Sequence, residues 1–550
     1  MICEVKRING LPTLTVDGKP ISEMAYITYK TDCNCYDEFA SCGIKLFSVN
    51  LNFSEMAINE HAPVLVFQKG IFEKETPDFT IVDHNIQQIL DACPDAYIFP
   101  RVNVNLSEKW EQQHPSELCD DQINDRKRVS FSSDIWAEEV KRELKLLIEY
   151  VEQSPYADHI IGYQIAGGNT EEWLPFERQG FYNERAKIKF LEYCKINNLT
   201  PDANNYFQFA SDLVAERIID FSSFIKELTQ NKKIVGVFYG YTLGCPERHI
   251  PHHSLDKILK CDTIDFICSP IVYVHMREPG LDLYPMVPVD SLRLHNKLYF
   301  SENDIRTHLS KPVLDHPHYT KPIWYGPQDK NLCIGQLKQS FSRAFIKGYG
   351  MWWFDMWGGW YNDEDYMPLI SKMSEICSDG MDTPNSDCAI FVDEKCFSKL
   401  NYTSRLINNI LNSVGIAGIS YDVYLASDFE EVYNNYNVFL FIEPCKTELL
   451  SSCILKAKKS DKVIKIFTEA DNNLSPNEIR DIFISNKIDV TTVNNTVIYS
   501  GKKHVCVYAN ESGKCTFELD GNTSFYELFT DKNITFPMYM NKGDCVLFKI

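Results

Sequence analysis

Short apolar runs alternate with longer amphipathic segments along residues 20–370 of the chain. The runs are rich in Ile, Val, Phe and Tyr, which is typical of parallel strands buried on both faces. The segments between them, such as 134–153, place apolar residues three or four positions apart, as helices packed on a sheet do. Eight strands are predicted, at 23–29, 44–50, 96–103, 160–167, 233–240, 264–270, 297–302 and 349–355.

This alternation predicts an α/β fold whose first domain, residues 1–380, is a (β/α)8 TIM barrel enlarged by loop insertions. The alternative is a doubly wound open sheet. Such a sheet normally carries a glycine-rich phosphate turn after its first strand, and the sequence has no such turn after 23–29. The closed barrel is therefore favoured.

Two smaller domains are predicted after the barrel. The stretch "SDGMDTPNSD" (378–387) is polar, contains Gly and Pro, and is typical of a linker. Strands and helices then alternate over 386–487 in a flavodoxin-like pattern. Its first strand leads into "EKCFSKLN" instead of a phosphate loop, so we expect an oligomerisation or support domain. Short alternating runs over 488–550 predict a small antiparallel β-sandwich domain.

Charge and composition narrow the possible partners. The 550 residues carry a formal net charge of −21, which argues against nucleic acid and anionic membranes, because both require basic patches. No apolar run reaches the roughly 18 residues of a membrane span. The opening "MICEVKRING" lacks a signal-peptide stretch, and the 19 cysteines are scattered. We therefore expect reduced thiols and a cytoplasmic location.

Candidate chemistry concentrates where the predicted barrel strands end, which is where TIM barrels place their functional residues. Strand 4 is followed by "AGGNTEEWLPF" (166–176), which contains Glu171 and Glu172, and strand 7 ends at Glu302. Two carboxylates facing each other can hydrolyse a glycosidic bond: one protonates the leaving oxygen, and the other attacks the anomeric carbon or activates water. The remaining candidates at strand ends are Arg101, Asn169, Trp173, Tyr239, Tyr273, Trp352, Trp353 and Trp357.

Acids before an aromatic on strand 4 and a Glu ending strand 7 resemble the clan A retaining glycosidases. The three-part layout is similar to the glycoside hydrolase family 42 β-galactosidases, and also to the family 164 β-mannosidases. The stretches "VDGKPISEMAYITY", "FPRVNVNLSEKWEQQHP" and "WWFDMWGGWY" reinforce the resemblance. It implies a retaining β-glycosidase acting on a small glycoside or oligosaccharide. It further implies Glu302 as nucleophile, no metal or cofactor, and a trimer.

The strand-4 motif departs from the clan pattern. Clan A members usually carry Asn-Glu there, whereas this chain has Thr170-Glu171-Glu172-Trp173. If the aromatic residue sets the register, Glu172 is the acid/base. If Thr170 replaces the Asn, Glu171 is. Glu172 is favoured because it shares the side-chain parity of Gln164 along an extended strand.

The resemblance gives the other candidates their expected roles. Arg101 and Asn169 would hold the nucleophile or the sugar hydroxyls, and Tyr273 would hydrogen-bond Glu302. Tyr239 and the tryptophans would contact the sugar, since aromatic faces suit its C–H groups.

Three alternative functions stay open at this point. A β-mannosidase of the same architecture would use the same carboxylates. A non-catalytic glycan-binding protein would keep the scaffold without bringing both acids into one pocket. A metal-dependent hydrolase barrel is less favoured, because no H-x-H motif follows strand 1.

Overall fold

The computed structural model describes residues 1–55, 69–121, 126–176, 184–312, 317–386, 388–402, 404–486 and 496–550. The predicted boundary between the second and third domains, at 487/488, lies outside these residues, as does the last residue of the predicted linker. Within the described ranges, no helix has both the length and the apolar composition needed to cross a bilayer.

The predicted TIM barrel is confirmed. Eight strands run parallel and in sequence order, and strand 8 pairs with strand 1 through Phe354 and Ile27, which closes the barrel. The strands are numbered here as barrel strands 1 to 8. They span Met24–Ile27, Leu46–Phe47 with Asn50–Asn52, Tyr97–Ile98 with Arg101–Asn103, Gly162–Ala166, Ile234–Phe238, Phe266–Pro270, Leu298–Asn303 and Gly350–Phe354.

Barrel strands 2 and 3 are each interrupted in the middle. The break in strand 3 contains Pro100, which has no N–H to give to a neighbouring strand. Beyond the break, Arg101 lies opposite Asn50 on one side and Gln164 on the other. The interruptions therefore bring polar residues of three adjacent strands to the same level of the barrel.

Helices surround the barrel, as the alternating pattern predicts. The helix predicted at 134–153 spans Asp134–Glu152, and its Ser133 side chain caps the first turn by accepting from the Trp136 N–H. An antiparallel hairpin of Cys3–Ile8 and Leu11–Val16, continued by Lys19–Pro20, precedes the barrel and was not predicted. The principal helices are Thr80–Ala92, Asp134–Glu152, Glu184–Asn197, Ala203–Leu228, Lys330–Lys347 and Tyr366–Cys377.

The interior of the barrel is filled by aromatic rings. Phe99, Phe266, Phe300 and Trp352 are fully buried, and Trp352 stacks on Phe99 and Phe300 with ring centroids 5.8 and 6.0 Å apart. These rings close the centre of the barrel, so a substrate can enter only at one of its ends.

The second unit has the predicted flavodoxin-like order. Its four parallel strands are arranged 2-1-3-4. Buried contacts fix it to the barrel, since the Glu394 carboxylate accepts the backbone N–H groups of Leu255 and Asp256. The strands span Cys388–Val392, Tyr421–Leu425, Val438–Ile442 and Val463–Phe467, and the helices Leu406–Ile416, Phe429–Val432, Glu448–Ala457 and Pro476–Ser485.

The C-terminal part is antiparallel, as predicted. After Cys515 the chain leaves the sheet and forms a local turn between Leu519 and Asn522. Two further strands lie at Lys532–Thr535 and Met538–Met540. The other strands span Thr496–Ser500, His504–Ala509, Gly513–Cys515, Ser524–Glu527 and Cys545–Lys549.

Candidate active site

The segment after barrel strand 4 is a tight turn. The strand ends at Ala166. The Trp173 N–H then donates to the Gly167 carbonyl, and the Asn169 N–H donates to the Leu174 carbonyl, both at 2.8 Å. The chain is therefore not extended at Glu172, and the parity argument from the sequence does not hold for it.

The backbone of this turn is strained. Thr170, Glu171 and Trp173 have φ angles of 59°, 62° and 60°, a left-handed conformation that is rare for a β-branched or bulky residue. Gly168, at φ 71°, is required, because a Cβ there would lie 2.4 Å from the Leu174 carbonyl oxygen. Strain of this kind persists only where the surroundings over-determine the conformation, as they often do at functional sites.

In this turn the side chains of the adjacent acids Glu171 and Glu172 point in different directions. Glu171 is fully buried in the barrel, where it accepts hydrogen bonds from the side-chain amides of Asn50 (3.1 Å) and Asn103 (3.0 Å). The Arg101 Nε lies 3.2 Å from the same carboxylate. Glu171 is thus held between one guanidinium and two amides.

Glu172 faces a cavity instead. Its Oε2 accepts from the Thr170 hydroxyl at 2.6 Å and from the Tyr241 hydroxyl at 2.5 Å. Both partners are neutral donors, and both also line the cavity.

Glu302 reaches the same cavity from barrel strand 7. It is 3% exposed, and its Oε2 lies 3.7 Å from Nη1 of Arg101. Arg101 is therefore shared between Glu171 and Glu302. Oε2 of Glu171 and Oε2 of Glu302 both lie within 4 Å of this guanidinium, so a small shift of either carboxylate would shorten its contact to a charge-assisted hydrogen bond.

The cavity has a volume of about 260 Å³ and lies at the carboxyl ends of the barrel strands. Its walls come from the segments that follow strands 1, 4, 5, 6, 7 and 8. They combine two carboxylates with hydroxyls and aromatic rings, a composition suited to a sugar. The lining residues are Tyr29, Thr170, Glu172, Tyr241, Tyr273, Glu302, Arg306, Ile323, Trp324, Phe354, Met356 and Trp357.

Several aromatic residues expected at the cavity are in the core instead. Trp173 is fully buried and donates its indole N–H to the Ile165 carbonyl at 3.1 Å. Trp352 stacks inside the barrel, and Trp353 packs against Tyr361 with centroids 5.2 Å apart. Side chains alternate between the two faces of a strand, and sequence alone does not say which face is open.

Tyr239 and Asn169 also lie outside the cavity wall. The Tyr239 hydroxyl accepts from the Ser254 N–H at 3.0 Å, and its ring stacks on His252. Asn169 is buried in the turn, where its backbone carbonyl accepts from the Thr170 hydroxyl. Their predicted contacts with the nucleophile or the sugar stay predictions.

Trp357 and Tyr273 do line the cavity. The Tyr273 hydroxyl donates to Oδ2 of Asp304 at 2.5 Å rather than to Glu302. The expected bond between Tyr273 and the nucleophile is replaced by one to the acid two residues further along the chain.

Sequence reasoning missed residues of three kinds. Asn50 and Asn103 end the predicted strands 44–50 and 96–103, and a search of those ends for amides as well as charged residues would have found them. Tyr29 follows strand 1 in the same way. Trp324 lies in a long insertion after strand 7, where no periodicity marks its position.

Burial raises the pKa of both cavity carboxyls. It raises the pKa of Glu172 to about 7, opposed by the bonds from Thr170 and Tyr241. It raises the pKa of Glu302 to about 8, opposed by Arg101. Taken one at a time, these values put the proton on Glu302. The contacts favour the other placement, because Arg101 lies beside Glu302 whereas neutral hydroxyls hold Glu172.

These pKa values predict the pH dependence of any reaction that needs one protonated and one ionised carboxyl. The pair carries a single proton between about pH 7 and pH 8. At lower pH both carboxyls are protonated, and at higher pH both are ionised. A plot of kcat/KM against pH should therefore be bell-shaped, and its two apparent pKa values describe the pair and not either residue alone. A pH profile with an optimum near the ordinary carboxyl range, below pH 5, would contradict this environment for the pair.

No known protein-family model matches the sequence, and no curated protein matches it. Solved structures do match it over nearly the whole chain. The β-galactosidase from the psychrophilic Marinomonas ef1 is 11% identical, with a TM-score of 0.62 over 96% of this chain and 100% of that one. The β-galactosidase from Rahnella sp. R3 is 10% identical, with a TM-score of 0.63 over 100% of both chains.

A third similar structure is the apo exo-carrageenase of glycoside hydrolase family 42 from Bacteroides ovatus. It is 12% identical, with a TM-score of 0.60 over 100% of this chain and 86% of that one. This chain has the fold of family 42. At these identities the likeness establishes the architecture alone.

Proposed function

We propose that this protein is a retaining β-glycosidase that hydrolyses terminal β-galactosides or related β-glycosides. One observation carries the proposal: Glu172 and Glu302, from barrel strands 4 and 7, line the same cavity. Paired carboxyls in a pocket with aromatic walls are what glycoside hydrolysis requires.

Glu302 acts as the nucleophile. Its carboxylate attacks the anomeric carbon, a bond forms between that carbon and a Glu302 oxygen, and the glycosidic C–O bond breaks. Arg101 favours the ionised form of Glu302, because its guanidinium lies 3.7 Å from the carboxylate.

Glu172 acts as the acid/base. It gives its proton to the leaving oxygen in the first step. As a carboxylate it then takes a proton from the water that displaces Glu302 from the anomeric carbon. The hydroxyls of Thr170 and Tyr241 hold the carboxyl in place, and burial keeps its proton bound near neutral pH.

The substrate class rests on the neighbours. Two of the three similar structures are named as β-galactosidases, so galactosides come first among the sugars to be tested. A cytoplasmic trimer stays a prediction of the sequence resemblance.

The stereochemistry of hydrolysis tests the mechanism. With aryl β-glycosides of galacto, gluco and manno configuration as substrates, the β anomer should appear first, since two displacements restore the starting configuration. Proton NMR of the fresh product makes the measurement. Glu302→Gln is the matched control, because it keeps the shape of the side chain and removes the nucleophile.

Two results would contradict the proposal. Early appearance of the α anomer would make the enzyme inverting and Glu302 a base. Binding of these sugars without turnover of any of them would identify a glycan-binding protein on a glycosidase scaffold.

A further inference from the structure

Asp304, two residues after Glu302, has a carboxylate that contacts two arginines, Arg277 from the loop after barrel strand 6 and Arg306 from the segment after barrel strand 7. Asp304 is fully buried, and its carboxylate contacts Nη1 of Arg277 at 2.6 Å and Nη1 of Arg306. Burial acts to raise the pKa of Asp304, but the two guanidiniums hold it below the usual value. Asp304 is therefore ionised, and the three side chains together carry one excess positive charge.

Arg277 is held by the fold. Its Nε donates to the Val272 carbonyl at 3.1 Å, its Nη1 to the Asp304 carbonyl at 3.1 Å and its Nη2 to the Ile271 carbonyl at 2.6 Å. With the Asp304 carboxylate added, every nitrogen of this guanidinium has an acceptor. Arg277 therefore shapes the loop after barrel strand 6 and contacts one oxygen of the Asp304 carboxylate.

Arg306 is placed differently. Its Nη1 donates to the carbonyl and the carboxylate of Asp304. Its Nε is buried and has no hydrogen-bond partner among the described residues. The side chain is 5% exposed and lines the cavity that contains Glu172 and Glu302.

Aromatic rings hold this guanidinium in place. Its central carbon lies 5.1 Å from the ring centroid of Trp324, 5.3 Å from that of Trp360 and 5.6 Å from that of Tyr273. Such contacts stabilise the cation, and the ring faces offer no acceptor to the buried Nε. The contacts with Asp304 and the three rings therefore explain the position of Arg306. They leave its Nε without a hydrogen bond, which is costly for a buried donor.

From this geometry we infer that Arg306 binds an anionic group of the substrate, a carboxylate or a sulfate ester on the sugar in the cavity. The inference rests on the proposed glycosidase function and specifies acidic glycosides as its substrate class. An anionic oxygen of the substrate would accept hydrogen bonds from the Arg306 guanidinium at the cavity wall, as carboxylates and oxyanions do from planar guanidiniums.

Binding to a catalytically inactive protein tests the inference without turnover. Titration calorimetry on the Glu302→Gln variant would compare three ligands: methyl β-galactoside, the same galactoside sulfated at its primary hydroxyl, and the corresponding methyl β-galacturonide. Methyl β-glucoside and methyl β-glucuronide would be measured in the same way. At least one anionic ligand should bind about tenfold tighter than its neutral counterpart or better, since charge-assisted hydrogen bonds are the strong ones. The preference should weaken with salt.

The variants at Arg306 are made in the same Glu302→Gln background. Arg306→Gln should abolish the preference, whereas Arg306→Lys keeps the charge and should retain part of it. Arg142→Gln is the matched control, because Arg142 is an exposed arginine on the helix Asp134–Glu152. If Arg306→Gln does not fold, the ligand series in the Glu302→Gln parent and in Arg306→Lys still decides.

Equal binding of neutral and anionic sugars overturns the inference, and so does a preference that survives in Arg306→Gln. Kinetics separate this failure from failure of the proposed function. Hydrolysis of neutral aryl glycosides with no preference for acidic ones rejects the acidic substrate alone. Tight binding of acidic sugars with no hydrolysis supports the anion site and rejects the glycosidase.

Discussion

Replacing Glu302 with Gln should lower kcat on aryl glycosides by on the order of 10⁴-fold or more, because no covalent intermediate can form. The amide has the size of the carboxyl and can still accept a bond from Arg101. The fold should therefore persist, with a melting temperature close to that of the wild type. Single-turnover kinetics with a dinitrophenyl glycoside make the measurement, since this leaving group needs no proton.

Glu143→Gln provides the matched control for this change. Glu143 is another buried glutamate, 7% exposed on the helix Asp134–Glu152, and burial likewise raises its pKa to about 8. It lies outside the cavity wall, so its variant should keep full activity. If Glu302→Gln retains activity within tenfold of wild type while Glu143→Gln behaves as expected, the nucleophile has been misassigned.

Replacing Glu172 with Ala should produce an effect that depends on the leaving group. A general acid matters most for poor leaving groups, so bond cleavage should slow by about 10²–10⁴-fold for an alkyl glycoside and far less for a dinitrophenyl one. The second step should be slow for both, because Glu172 also activates water. Azide should restore turnover and give a β-glycosyl azide, since azide needs no base.

Glu171→Ala distinguishes the two adjacent acids. Glu171 contacts Arg101, Asn50 and Asn103 rather than the cavity, so its loss should reduce activity for every leaving group alike, with no rescue by azide. Glu171→Gln keeps the side-chain volume if the Ala variant is unstable. Rescue of Glu171→Ala would transfer the acid/base role to Glu171, and rescue of neither variant would place the proton donor outside this turn.

Much of the architecture follows from the hydrophobic pattern. The eight barrel strands are buried on both faces, and this is the condition under which continuous apolar runs reveal them. Their ends are less well predicted, as in strand 3, where Pro100 divides one predicted run into two pieces. The antiparallel hairpin at Cys3–Ile8 and Leu11–Val16 went unpredicted, because it is short and lacks a long apolar run.

The candidate site was predictable in part. Glu302 and Arg101 lie on strands that the sequence predicts, and in the structure their side chains approach to 3.7 Å. The preference for Glu172 rested on strand parity, which fails because the chain turns after Ala166. The turn depends on left-handed backbone conformations at Thr170, Glu171 and Trp173. These residue types disfavour that conformation, so the sequence pattern does not predict the turn.

The insertions set the other limit. Trp324 and Arg306 line the cavity from the long segment after strand 7. Their positions depend on how that segment folds back over the barrel, whereas Trp352 and Trp353, on a regular strand, face the core. Several tryptophans close together in a sequence are therefore better evidence for aromatic packing in the core than for a sugar-binding site.

The strained turn after barrel strand 4 has a consequence for how this protein can change. Three non-glycine residues in the left-handed region cost on the order of 1–2 kcal/mol each, which is a large part of the roughly 5–15 kcal/mol that keeps a domain folded. Glycine or asparagine at Thr170 or Glu171 would relax the backbone, and would remove the hydroxyl or the carboxylate that orders the site. Thermal stability and the proposed hydrolysis therefore favour different residues at Thr170 and Glu171, and selection for heat resistance alone would favour loss of the contacts that these two side chains make.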